Sequence, residues 1–176
     1  MMRVSKSRKI RLRPVSSRHN AIATVGPLFK RVLVAIDGSK SALRAAKVAA
    51  KLAQRNDSEL LVVCVVQRPT YVFSPAHGVG APSITLGDYY VYANKEAEKW
   101  VDDAVSLAEG HGVKAKGRVL KNAPSIVQAL TEYAADQEVD LIVVGRRGVS
   151  GFKRLLVGSV SSGVVSHARS SVLVVK

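Results

Sequence analysis

Glu59-Leu-Leu-Val-Val-Cys-Val-Val66 places seven apolar residues behind a single acid, with no alternation of polar and apolar positions. A strand with one wet face alternates with a period of two, so an unbroken apolar run of this length points to a strand covered on both sides, in the middle of a parallel sheet. Upstream, Arg31-Val-Leu-Val-Ala-Ile36 is a second such run, closed by Asp37-Gly38-Ser39. This reads as a strand, a turn and a helix start with Ser39 as N-cap. From Lys40 to about Arg55, Ala42, Ala45, Ala46, Ala49 and Ala53 recur on one side of a helix, and Lys40, Arg44, Lys47, Lys51 and Arg55 on the other.

Downstream, residues 67–87 hold Pro69, Pro75, Gly78, Gly80, Pro82 and Gly87 without any period, the composition of a long loop. A second helix is expected from Asp88 to about Gly110, with Ala97, Trp100, Val101, Ala104, Leu107 and Ala108 as its apolar stripe and Gly110 or Gly112 as its stop. The segment near Lys114 to Leu120 alternates and contains Gly117, which suggests an edge strand. A helix from about Pro124 to Asp136 turns Ile126, Leu130, Tyr133 and Ala134 inward. Asp140-Leu-Ile-Val-Val144 is another buried strand, a short helix runs from about Ser159 to Ala168, and Val172-Leu-Val-Val175 is the last strand. Strands alternating with amphipathic helices predict a single α/β domain: an open, mostly parallel five-stranded sheet with helices on both faces.

The 176 residues suffice for one domain with a core and argue against a two-domain enzyme. The net charge of +14 is lopsided. All 13 acids lie at or after Asp37, whereas nine cations precede it, so residues 37–176 carry 18 cations against 13 acids. Residues 1–29 therefore read as a basic, flexible N-terminal extension and residues 30–176 as the folded domain. Ala21-Ile22-Ala23 resembles a cleavage box but lacks a preceding apolar stretch, so a secretory reading fails; an organellar transit peptide stays open as an alternative. The single cysteine, Cys64, excludes an internal disulfide framework and fits a reducing, cytoplasmic setting. No apolar run approaches the ~18 residues of a transmembrane segment.

Between the fourth strand and the last helix lies Gly145-Arg-Arg-Gly148, followed after nine residues by Gly158-Ser159-Val160-Ser161. This is neither a Walker loop nor a Rossmann fingerprint. Glycines at 145 and 148 are expected to bring backbone close to a ligand and to adopt positive φ. Residues 158–161 are expected to offer free amides and hydroxyls at a helix N-terminus, where the dipole favours an anion. Arg146, Arg147, Lys153 and Arg154 crowd the loop, and no acid follows Asp140. Asp37 leaves another strand end on the side where ligands bind in open α/β sheets, placed to accept from ribose hydroxyls or to help hold Mg. The same residues also read as turn glycines, with Ser159 as an N-cap, the arginines as a solvated rim and Asp37 as a turn residue.

Gly145-x-x-Gly148, nine residues and Gly158-Ser159, together with Val32-Leu-Val-Ala-Ile-Asp-Gly-Ser39 and the terminal Ser171-Val-Leu-Val-Val-Lys176, resemble the universal stress proteins, specifically their ATP-binding branch. The resemblance runs from about residue 30 to the end. It implies an adenine-nucleotide alpha-hydrolase-like fold with strand order 3-2-1-4-5. It also implies that Gly145, Gly148, Gly158, Ser159 and Ser161 hold the phosphates of ATP, with Asp37 at the ribose. Ala35 and Val65 would line the adenine slot, and Val144, Arg147 and Val160 would complete the wall. A homodimer through the C-terminal strand is implied as well, although Ser170-Ser171 stands where relatives often have Cys-Pro.

No catalyst stands out. His19, His77, His111 and His167 show no metal-ligand spacing, Ser159 and His167 lie about 12 Å apart along one helix, and Cys64 reads as an inert buried thiol. Slow ATP hydrolysis is the most this set of residues suggests. The leading expectation is a regulatory protein, active in a stress response, whose nucleotide state alters its dimer or partner surface. The competing expectations are a nucleotide-independent interaction module and, more weakly, attachment of the basic extension to nucleic acid or an anionic membrane surface.

Overall fold

The computed structural model describes residues 26–68, 86–148 and 157–176. Most of the basic extension, most of the Pro- and Gly-rich loop, and residues 149–156 with Gly151, Lys153 and Arg154 lie outside them.

Among the described residues nine elements follow one another as β1 (Arg31–Ile36), α1 (Lys40–Asn56), β2 (Glu59–Gln67), α2 (Leu86–Glu109), β3 (Ala115–Ala123), α3 (Ile126–Asp136), β4 (Leu141–Gly145), α4 (Ser159–His167) and β5 (Ser171–Val175). The strands form one sheet in the order β3-β2-β1-β4-β5, and every neighbouring pair is parallel. The unbroken apolar run is β2, buried from Leu60 to Cys64 and internal to the sheet, between β3 and β1. β3 lies at an edge as its alternation predicts, although Gly117 has a further reason to be glycine: a Cβ there would run into Val101 of α2. It is close helix packing, as well as edge position, that excludes a side chain.

Alternate strand residues face alternate layers. On one side Val32, Val34, Ile36, Leu60, Val62 and Cys64 pack against the alanines of α1 and against Ala97, Val101, Ala104 and Ala108 of α2. On the other, Leu33, Leu61, Val63, Ile142 and Val144 meet Leu130 and Ala134 of α3 and Val164 of α4. The alanine stripe of α1 lets that helix sit close on the sheet. Ser39 caps it, its hydroxyl accepting from the Ala42 amide at 3.0 Å. Ser125 caps α3 in the same way at 3.3 Å, so this helix starts two residues later than the expected Pro124. α2 is followed by Gly112 in the left-handed region at φ 72°, one of the two glycines expected to stop it.

The winding reverses between β1 and β4. β1, β2 and β3 step one way and β4 and β5 the other, which opens a crevice at the carboxyl ends of β1 and β4.

Candidate functional site

A cavity of about 690 Å³ occupies that crevice, within the range of small-molecule sites. Ala35, Asp37, Val65, Val144, Gly145, Arg147, Gly148, Gly158, Ser159, Val160 and Ser161 all line it. Eleven residues from four separate stretches of chain are thus brought to one concave surface. Three of those stretches are strand ends, and the fourth is the start of a helix.

β1 ends at Ile36, and the chain turns through Gly38 at φ 76°, a left-handed conformation that favours glycine. A side chain there would also collide with the Trp100 ring. This turn aims Asp37 into the crevice. Its Oδ1 accepts from the Ser39 amide at 3.0 Å, while Oδ2 lies against the next loop: a Cβ on Gly148 would stand 2.5 Å from it. Gly148 is therefore glycine so that the Asp37 carboxylate can approach.

Gly145, the last residue of β4, faces the start of α1. A Cβ there would lie 2.8 Å from the carbonyl carbon and from Oγ of Ser41. The chain then runs on with the Arg146 amide donating to the Val175 carbonyl at 2.7 Å and the Arg147 amide to Ser41 Oγ at 3.4 Å. The expectation of positive φ at Gly145 and Gly148 is corrected. Among the described glycines only Gly38 and Gly112 are left-handed, and both loop glycines are required by close approach instead.

At the start of α4 two further expectations are corrected. The N-cap is Gly158, not Ser159, and its amide is already engaged, donating to the Arg146 carbonyl at 2.8 Å. The Ser161 hydroxyl is buried and turned back, donating to the carbonyls of Arg146 at 3.1 Å and Gly158 at 3.0 Å. These bonds lock the helix start onto the strand-four loop. What faces the cavity are the first-turn amides of a helix whose glycine cap supplies no side-chain acceptor, and the exposed Ser159. Such amides have no partner within their own helix and form an anion-binding end. Arg147 lines the same wall and supplies positive charge.

The opposite wall was not read from the sequence as part of the site. Tyr89, Tyr92, Ala93, Glu96, Ala97 and Trp100 of α2 line the cavity at helical spacing. Ala97 and Trp100 belong to the apolar stripe that the sequence predicts for α2, and Tyr89 and Tyr92 carry no motif. Only the exposure of two tyrosines, 52% and 65%, marks them, and that is invisible in a sequence. Cys64 also borders the cavity; burial first, and the Asp37 charge second, push its thiol up to about 12, so it stays protonated. Among the described residues no three His, Cys, Asp or Glu side chains are grouped to hold a metal ion, and no helix is long and apolar enough to cross a membrane.

The model of the universal stress protein family matches residues 28–176. A universal stress protein of Methanocaldococcus jannaschii is 33% identical over 149 residues, 85% of this chain and 83% of that one. Among solved structures, the universal stress protein UspA from Lactobacillus plantarum superposes with a TM-score of 0.72 at 26% identity, covering 84% of this chain and 97% of its own. A universal stress protein crystallised in complex with cAMP is 29% identical, with a TM-score of 0.57, over 84% of this chain and 97% of its own. On the match over nearly all of the described domain, the chain belongs to the universal stress protein family.

Proposed function

We propose that this protein is an ATP-binding regulator in a stress response, and that the crevice at the ends of β1 and β4 holds the nucleotide. The observation that carries the reading is convergence: a helix start whose glycine cap supplies no side-chain acceptor, Arg147, the close backbone at Gly148 and the Asp37 carboxylate all face one cavity with apolar walls at Ala35, Val65, Val144 and Val160. The chemistry suits each part of an adenine nucleotide. Phosphates go to the α4 amides and Arg147, ribose hydroxyls donate to Asp37, and the flat base slides between the small side chains at the strand ends, with the Val65 backbone in reach of its edge. Mg, where it accompanies ATP, would be held chiefly by the phosphates with Asp37 beside them. The cAMP-bound relative supports an adenine ligand in this fold.

Turnover in this reading is at most slow: among the described residues no side chain on the cavity wall pairs a base with a nucleophile, and phosphoryl transfer relies on several preorganised charges at once. The nucleotide acts instead through the elements it touches. α4 and β4 lead directly into β5, whose open edge is the surface for a homodimer, so occupancy of the phosphate cup is coupled to the dimer or partner surface.

Calorimetric titration of the purified protein with ATP, with and without Mg, tests the reading. Heat with micromolar-scale affinity is expected, along with its loss in Gly158→Val, where two methyl groups fill the cup beside Arg146. An absence of heat, with no nucleotide released from the native protein on denaturation, refutes it.

A further inference from the structure

The cation pattern on α1 is not explained by the cavity. Lys40, Arg44, Lys47, Lys51 and Arg55 are all exposed and follow one side of the helix over about 22 Å. The helix contains no acid at all, and among the described residues none of the five is in an ion pair; those are made by Arg31, Lys116 and Lys121. Outside α1, residues 37–176 carry 13 cations and 13 acids, so one helix face accounts for the entire excess charge of that stretch.

This arrangement works against the helix. Lys40, Arg44, Lys47, Lys51 and Arg55 stand three and four residues apart, where like charges repel. Lys40 and Arg44 sit in the N-terminal turns, where the dipole disfavours a cation, and the first turn holds no acid to compensate. A face meant only for solvation would interleave Glu with Lys.

We propose that the exposed face of α1 is a docking strip for the sugar-phosphate backbone of nucleic acid, bound without regard to sequence. Three features choose this partner. The apolar side of α1 is consumed by the core, and Leu43 is the only large apolar residue of this helix left exposed, so nothing is available to enter a bilayer. Lysine-rich surfaces with no aromatic anchors are poor protein interfaces. A regular row of cations meeting a regular row of phosphates, by contrast, gains from counterion release in proportion to the contacts made. Five cations on the ridge set the contact at about five phosphates.

The test compares the full chain with its K47Q/K51Q/R55Q variant, three residues that do not line the cavity, binding a short mixed-sequence DNA duplex by fluorescence anisotropy across 50–300 mM salt. Residues 1–29 are the same in both proteins, so their contribution cancels. The variant is expected to bind on the order of a hundredfold more weakly at 0.1 M salt, with a salt slope shallower by about 2.7. Its resistance to urea should stay close to the parent's, because relief of like-charge repulsion is set against loss of the Arg55 cation from the last turn. Equal affinity and slope for the two proteins overturns the proposal. So does preferential binding of phosphatidylserine vesicles over duplex at equal anion concentration, or a scrambled sequence outcompeted by one specific site.

Discussion

Two glycines in the crevice look alike in sequence and do different work. Gly145 is pressed against the backbone of Ser41, which cannot retreat without moving the start of α1. Gly148 is pressed against the tip of a side chain, Asp37 Oδ2, which can swing away. Gly145→Ala is therefore expected to cost stability, roughly 1–3 kcal/mol as overpacking in a rigid place. Gly148→Ala is expected to leave urea unfolding within about 1 kcal/mol of the parent while displacing the carboxylate and weakening nucleotide binding. Urea melts and ATP titrations of the two variants separate the roles. If Gly145→Ala unfolds like the parent while Gly148→Ala is the unstable one, the assignment of packing to one and ligand approach to the other is reversed. The glycine spacing was legible in the chain because it belongs to a family pattern. The reason for each glycine was not, because the atom it avoids lies about 100 positions away in sequence.

Among the elements, strands and helices were read almost in full, since β1, β2 and β4 are buried on both faces and α1 carries its burial in a clean alanine stripe. What escaped was tertiary in origin. The aromatic wall of α2 depends on which elements meet, and the inward turn of Ser161 depends on the Arg146 carbonyl. Long-range polar ties escaped for the same reason. Glu59 at the start of β2 receives Lys116 of β3 on one carboxylate oxygen at 2.6 Å and Arg31 of β1 on the other at 3.1 Å, a cross-brace over three adjacent strands. The Lys116 hydrogen bond, with Arg31 behind it, holds the Glu59 carboxyl below its ordinary value despite the opposing effect of burial. A carboxyl with a lowered folded-state pKa adds stability above its unfolded value near 4.5, and that contribution drains away as pH falls through the folded one. Glu59→Gln should therefore unfold more easily than the parent at neutral pH, with the difference shrinking in urea melts taken stepwise below pH 4.5. A gap that stays constant from pH 7 to pH 3 would show that the brace stabilises by shape rather than by charge.

For the whole molecule, the sheet has two edges, and they are not equivalent. β3 is flanked by α2, which packs so closely that Gly117 has no room for a Cβ. β5 ends the sheet with Val172, Leu173, Val174 and Val175 all half-buried at the rim, an apolar edge of the kind that pairs with another chain. The hydrogen bonds show which residues look outward. The Ser171 amide donates to Asp140, and the Val175 carbonyl accepts from Arg146, so Ser171, Leu173 and Val175 direct their backbone groups at β4. By alternation, Val172 and Val174 direct theirs away from the sheet. A proline is tolerated where the lost amide faces outward and not where it faces the neighbouring strand. If copies of the chain pair edge to edge through β5, Val174→Pro removes a central hydrogen bond of that interface while leaving the β4 ladder intact. The expected outcome is a folded protein with the parent's circular dichroism that elutes as a monomer in light-scattering chromatography, whereas Leu173→Pro unfolds. A Val174→Pro protein that stays dimeric places the contact elsewhere, and nucleotide occupancy would then have to reach it by a route other than the β4 to β5 connection.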